Sequence, residues 1–263
     1  MQSTVRKTLN NLGLGLLPFA VVLTVWWIAS QARLVPDWLL PSPMSVGYAF
    51  WKLCANGVFP KLLSISALNV LPPFFIALFM ALAVGIVIAQ SSFFARLMTP
   101  FLAAFYPIPS IAWLPLIILF FGFSRWSIWI MIFLSSFLRM IYGVVSSVQG
   151  VRKSWLMVAR NYNLSRFAII FRIVIPGTFP YLLATARSGF GTAWRALIGA
   201  EMLVVTLGGL GKFIWQAQGF FNFDYVLAGI ILIGFVGVAV ELWIFRVLEK
   251  RVFRQWGINY DQW

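Results

Sequence analysis

Between Lys61 and Arg96 the chain carries no charged residue at all. An uncharged apolar stretch of that length is more than a span needs, since a helix rising about 1.5 Å per residue crosses roughly 30 Å of hydrocarbon in about 20 residues. Comparable apolar runs recur along the chain, and lipid is the only solvent that covers them all. Composition agrees: 62% of the residues are hydrophobic and 10% are charged, against about 25% charged in ordinary soluble domains. The chain therefore reads as an all-α, polytopic membrane protein.

Six spans are expected, at about 12–30, 62–90, 100–121, 126–149, 179–207 and 225–248, in a single transmembrane domain covering 1–263. The first could also be read as a signal peptide. Its apolar run is longer than the usual h-region of about 7–15 residues, and Trp26 and Trp27 suit an interfacial anchor, so a retained span is favoured. The third run contains Pro100, Pro107, Pro109 and Pro115. Each proline removes a backbone donor, which leaves either a kinked core helix or a broken segment lining a pathway. In the fifth, Ala184, Ser188, Thr192, Ala196 and Ala200 give a small-residue face suited to close helix approach.

An even number of spans puts both termini on one side. That side then holds Arg6, Lys7, Arg96, Arg152, Lys153, Arg160, Arg166, Arg172, Arg246, Lys250, Arg251 and Arg254, while the other holds Arg33, Lys52, Lys61, Arg125 and Lys212. The positive-inside rule makes the richer side cytoplasmic. The net charge of +14 is explained in the same way, leaving no basic soluble domain for nucleic acid.

Catalytic chemistry finds no support. The chain has no histidine and one cysteine, Cys54, so neither a metal cluster nor an internal disulfide is expected. Gly208-Gly209-Leu210-Gly211-Lys212 has neither the spacing nor the hydroxyl of a phosphate loop. Chemistry concentrates instead in charges placed within spans: Arg139, Arg187, Arg195 and Glu201, with Trp194 beside them. Ionisable groups in hydrocarbon mark either a pathway or a paired structural site, and Glu201 with an arginine is one such pairing. Three positive charges would suit an anionic cargo.

The remaining polar interval is 150–176, read as a cytoplasmic loop. Within it Trp155, Val158, Ala159 and Tyr162 fall on one face of a helix, surrounded by basic residues. Such a short amphipathic helix reads as a docking surface. The loop also resembles the cytoplasmic signature of ATP-binding-cassette importer permeases, E-A-A-x3-G-x9-I-x-L-P. Here Met157-Val158-Ala159 is followed after three residues by Asn163, and after nine more by Ile173-Val174-Ile175-Pro176. Methionine replaces the glutamate and asparagine the glycine. Asparagine enters the left-handed region readily, whereas Met157 cannot complete a capping box with Ser154.

Further matches follow in order. Leu40-Pro41-Ser42-Pro43, Pro109-Ser110-Ile111-Ala112-Trp113-Leu114-Pro115-Leu116, Ala200-Glu201-Met202-Leu203 and Gly209-Leu210-Gly211 are similar to motifs of the nitrate, sulfonate and taurine group of these permeases. The resemblance implies a type I importer permease fold in the bacterial inner membrane. It implies a homodimer, two ATPase subunits that bind ATP and magnesium, and an external binding protein that delivers the substrate. No cofactor is expected on this chain. Arg152, Ser154, Trp155, Met157, Val158, Ala159, Tyr162, Asn163, Leu164 and Ser165 would couple it to the ATPase. The cargo implied is a small organic or inorganic anion, with a neutral heterocyclic vitamin precursor as an alternative. An ion-coupled secondary transporter is the competing class, although no internal repeat supports it.

Overall fold

A computed structural model of the chain describes residues 2–32, 35–151, 153–204 and 208–255. Every regular element among them is helical. Four helices are long and apolar enough to cross a membrane: Val58–Gln90, Arg125–Gln149, Arg166–Leu203 and Phe223–Val252. Ser92–Phe105 and Ser110–Phe121 form a further pair bent by 88°, and Leu17–Gln31 is a shorter apolar helix. The six expected runs thus become four long helices, one broken pair and one shorter helix among the described residues.

The chain divides into two compact units. The first draws on Met1–Lys61 and Phe213–Leu232. Helix α1 (Gln2–Gln31) leads to α2 (Pro43–Ala55), which Ser42 caps by accepting from the Ser45 N–H at 3.2 Å, with Pro43 in the first turn where no N–H is needed. The Trp26 indole donates to the Pro41 carbonyl at 3.0 Å and so fixes the loop between them. Gly57, at φ +72°, turns the chain from α2 into α3 (Val58–Gln90). Phe50, Phe59, Phe213 and Tyr225 make a run of ring contacts through this unit.

The second unit holds Leu62–Lys212 and Ile233–Trp263. Helix α4 (Ser92–Phe105) breaks off ahead of Pro107 and Pro109, and a short 3-10 turn (Ser110–Trp113) leads into α5 (Leu114–Phe121). The prolines therefore break the expected third span instead of merely kinking it. Helix α6 (Arg125–Gln149) packs against α9 (Ile175–Leu203), and two glycines permit the approach. A side-chain carbon added at Gly143 would lie 2.5 Å from Thr185, and one added at Gly189 would collide with Met140.

Thr185, Ala186, Gly189 and Ala193 thus form the buried face of α9. That is not the face expected from the four-residue repeat. Only Ala196 and Ala200 of that repeat are buried, while Ala184, Ser188 and Thr192 border a cleft. Small residues were legible on both faces, and the helix packs the one with glycines.

Ahead of α9, α8 (Arg166–Ile169) runs through a π-helical turn (Ile170–Val174), so that Arg166–Leu203 forms one continuous helix. Pro176 cannot donate and its ring crowds the preceding turn, and the wider turn accommodates both defects. The helix therefore begins thirteen residues ahead of the span expected from 179. Val144, Val148, Val151, Val174 and Leu182 form an apolar cluster against which Leu82, Ile86, Leu156 and Ile169 pack. It joins α3, α6 and α9 to helix α7 (Lys153–Asn161). The chain then runs through α10 (Leu210–Gly219), α11 (Phe223–Ala239), a second π turn (Val240–Phe245) and α12 (Arg246–Gln255).

Candidate functional site

Helix α7 presents the face that its periodicity predicts, with one residue differently placed. Trp155, Val158 and Tyr162 are exposed, Tyr162 at 78%, and Met157 is exposed beside them. Ala159 is 2% exposed. It forms the floor of an apolar cleft of about 570 Å³ whose walls include Trp155, Val158, Tyr162, Leu164 and Pro176. A carbon added at Gly177 would sit 3.1 Å from the Trp155 ring, which shows how closely that indole lies on the start of α9. Arg152 lies outside the described residues.

The turn after α7 is built by Asn163, which adopts φ +52°. The Leu164 N–H donates to the Ala159 carbonyl at 3.1 Å, the six-to-one bond of a Schellman close with asparagine in the left-handed position. Ser165 then caps α8 by accepting from the Ala168 N–H at 3.2 Å. Ser154 lies inside α7, so the capping box considered for Ser154 and position 157 has no place here. Asn163→Gly is expected to leave the melting midpoint unchanged or slightly raised. Asn163→Val forces a β-branched residue into a conformation costing about 1–2 kcal/mol or more and should lower it. Differential scanning fluorimetry of the purified variants checks the pair.

The intramembrane charges separate into three environments. Glu201 is fully buried and, among the described residues, pairs with no arginine. It accepts from the Ser66 hydroxyl at 2.9 Å, the Asn69 amide at 3.1 Å and the Gly211 N–H at 3.1 Å, while Leu210 N–H donates to Ser66 at 3.0 Å. The Gly-x-Gly run is explained by the same carboxylate: a side chain on Gly209 would occupy its place, and one on Gly211 would strike the Ile198 carbonyl oxygen.

Arg187 forms the second environment. Its Nη1 donates to Glu249 at 2.6 Å and its Nε to Glu241 at 2.6 Å, with Nη2 also on Glu241. Glu241 and Glu249 stand eight residues apart, about two helical turns, and so reach one guanidinium together. Glu249 is 3% exposed at its side chain. Arg187→Gln should destabilise the chain by about 2–4 kcal/mol by taking the guanidinium from that carboxylate, and adding Glu249→Gln should recover part of the loss. A double-mutant melting cycle measures the coupling.

Arg139 and Arg195 form the third, and both are exposed to a cleft instead of buried as three hydrocarbon charges would be. Arg139 donates from Nη1 to the Tyr106 hydroxyl at 2.5 Å and from Nε to Ser188 Oγ at 3.2 Å. Trp194 sits apart, donating to the Ile233 carbonyl at 3.3 Å. Tyr106, Glu241 and Glu249 are not singled out in the sequence, and Ser188 is named there only as part of the small-residue face; Ser188 beside Arg187, and the two glutamates eight residues apart, are the available signals.

Comparison with known proteins places these features. Residues 81–254 match the family model described as binding-protein-dependent transport system inner membrane component. The taurine transport system permease protein TauC of Escherichia coli (strain K12) is 29% identical over 238 residues, covering 89% of this chain and 86% of its own. The putative aliphatic sulfonates transport permease protein SsuC of Bacillus subtilis (strain 168) is 28% identical, covering 94% and 88%. The nitrate import permease protein NrtB of Synechocystis sp. is 29% identical, covering 86% and 84%. Among solved structures, a chain of the MetNI methionine ABC transporter, in inward-facing conformations, superposes with a TM-score of 0.62 at 15% identity, covering 75% of this chain and 95% of that one. The last likeness concerns the fold alone.

Proposed function

The chain belongs to the binding-protein-dependent transport system inner membrane components, among the ABC importer permeases, and from that premise we propose that it conducts a small oxyanion of the sulfonate or nitrate class through the membrane. Two copies of the chain would stand over two ATPase subunits, which bind ATP and magnesium, and an external binding protein would deliver the anion. Both termini and the 150–176 loop face the cytoplasm, consistent with the excess of Lys and Arg on that side.

The observation that carries this reading is the exposed apolar cleft of α7, closed by the Asn163 turn and anchored through Leu156 to the cluster that joins α3, α6 and α9. A partner gripping Trp155, Val158 and Tyr162 pulls on three long helices at once. ATP would bias inward- and outward-facing states only through the ATPase's different affinity for each. Met157 offers the partner apolar surface where the signature has a carboxylate.

The test is uptake of labelled taurine, methanesulfonate and nitrate by proteoliposomes containing the chain and its ATPase, with ATP inside and the binding protein outside. Uptake of one of them that requires ATP and survives a protonophore is expected. Uptake by the chain alone, abolished by collapsing an ion gradient, would replace the importer with a secondary transporter.

A further inference from the structure

We propose that Arg139 and Arg195, with the hydroxyls of Tyr106 and Ser188, form a transient binding site for one oxyanion inside the membrane, a site that rests on the permease reading above.

The cleft holding them has a volume of about 610 Å³ and is also lined by Thr192. Its charge is not balanced internally. Arg187, which borders the same cleft, is held by Glu241 and Glu249. Among the described residues, Arg139 is held only by hydroxyls, and Arg195 makes no hydrogen bond or ion pair. Three guanidinium groups against two carboxylates leave the cleft with one net positive charge. One monovalent anion cancels it.

The donors are arranged to receive such a guest. Tyr106 and Ser188 accept hydrogen bonds from Arg139, so their own protons remain available to another acceptor. Thr192 differs, because its hydroxyl donates to the Gly189 carbonyl at 2.7 Å. A guanidinium offers paired N–H groups matched to two oxygens of a sulfonate or nitrate, which gives preference for planar and tetrahedral oxyanions over a spherical halide.

Position favours passage over a structural role. A second cleft of about 260 Å³ shares Tyr106, Arg139 and Thr192 with the first and extends to Ile108 and Ser110, at the proline break ahead of α5. Arg139 therefore stands where two clefts adjoin. It lies about 21 Å along α6 from Arg125 and about 15 Å from Gln149 at 1.5 Å per residue, well inside the span. Hydrocarbon there opposes an anion, and a fixed positive charge offsets that cost. Exposure of both arginines keeps the hold weak enough for release, as conduction requires.

Two readouts test the site. In proteoliposomes with the ATPase and the external binding protein, Arg195→Gln should reduce anion uptake by about tenfold or more, as loss of a charge-assisted bond predicts. Arg195→Lys should retain most of it, and ATPase association should be unchanged in both. On the purified full chain, phenylglyoxal modification of Arg195, read by peptide mass spectrometry, should slow severalfold in methanesulfonate and not in neutral methanesulfonamide. Equal labelling in the two solutions, or Arg195→Gln uptake within about twofold of wild type, overturns the site. Absence of an ATPase from the wild-type chain overturns the permease reading instead, and the labelling then decides the anion site by itself.

Discussion

Glu201→Ala is expected to lower the stability of the chain by about 3–9 kcal/mol, because three donors lose one shared acceptor and each buried donor left unpaired costs about 1–3 kcal/mol. Those donors are the Ser66 hydroxyl, the Asn69 amide and the Gly211 N–H. Ser66 and Asn69 are as inaccessible as Glu201 itself, at 0% and 1% exposed, so bulk solvent does not reach these donors in the folded chain. Glu201→Gln should cost less, since its one carbonyl oxygen still accepts, while its amide must face groups that are themselves donors. Gly211→Ala should approach the alanine variant in severity for a different reason: the obstacle is a backbone carbonyl, that of Ile198, which cannot rotate away. Melting of the purified proteins in detergent should rank wild type, then Glu201→Gln, then Glu201→Ala. A Glu201→Ala protein that melts with wild type would show that this carboxylate does not tie the end of α9 to α3 and α10.

The second large effect is functional and leaves the fold intact. Val158→Asp and Tyr162→Ala are each expected to cut ATP-driven uptake by about thirtyfold or more, the loss that an interface anchor worth at least about 2 kcal/mol predicts. Both positions are exposed, at 55% and 78%, and neither belongs to the apolar cluster under α7. Their melting midpoints should stay within about a degree of wild type, as surface substitutions usually do. Ala159→Asp behaves differently. Position 159 is buried, and a carboxylate there must either protonate or open the base of the helix. That variant should lose stability and uptake together, which makes it a poor probe of docking and a useful control. Uptake preserved in Val158→Asp and Tyr162→Ala would move the force-receiving surface elsewhere.

Much of this was legible before the structure, and the exceptions share a cause. The left-handed turn at Asn163 follows from the loop spacing and from what asparagine tolerates, both local properties. The apolar face of α7 follows from periodicity. Periodicity does not reveal which neighbour covers which residue, so Ala159 was grouped with Trp155 and Tyr162 although it forms the floor beneath them. The same limit governs the charges. Arg187 finds its partners 54 and 62 residues away, and Glu201 reaches residues 132 and 135 positions distant. Nothing local distinguishes these structural charges from Arg139 and Arg195. A proline signals a missing donor but not its outcome: Pro107 and Pro109 end a helix, whereas Pro176 is absorbed by a π turn and the helix continues.

The central claim is that α7 receives force from an ATPase. It is tested most directly by extracting the tagged full-length chain from its native membrane in mild detergent and quantifying what stays bound, for wild type and Val158→Asp in parallel. An ABC ATPase in equal stoichiometry with the wild-type chain is expected, and its loss from the variant at unchanged melting midpoint. An ATPase retained by the variant, or a wild-type chain that carries none through several mild extractions, would contradict it.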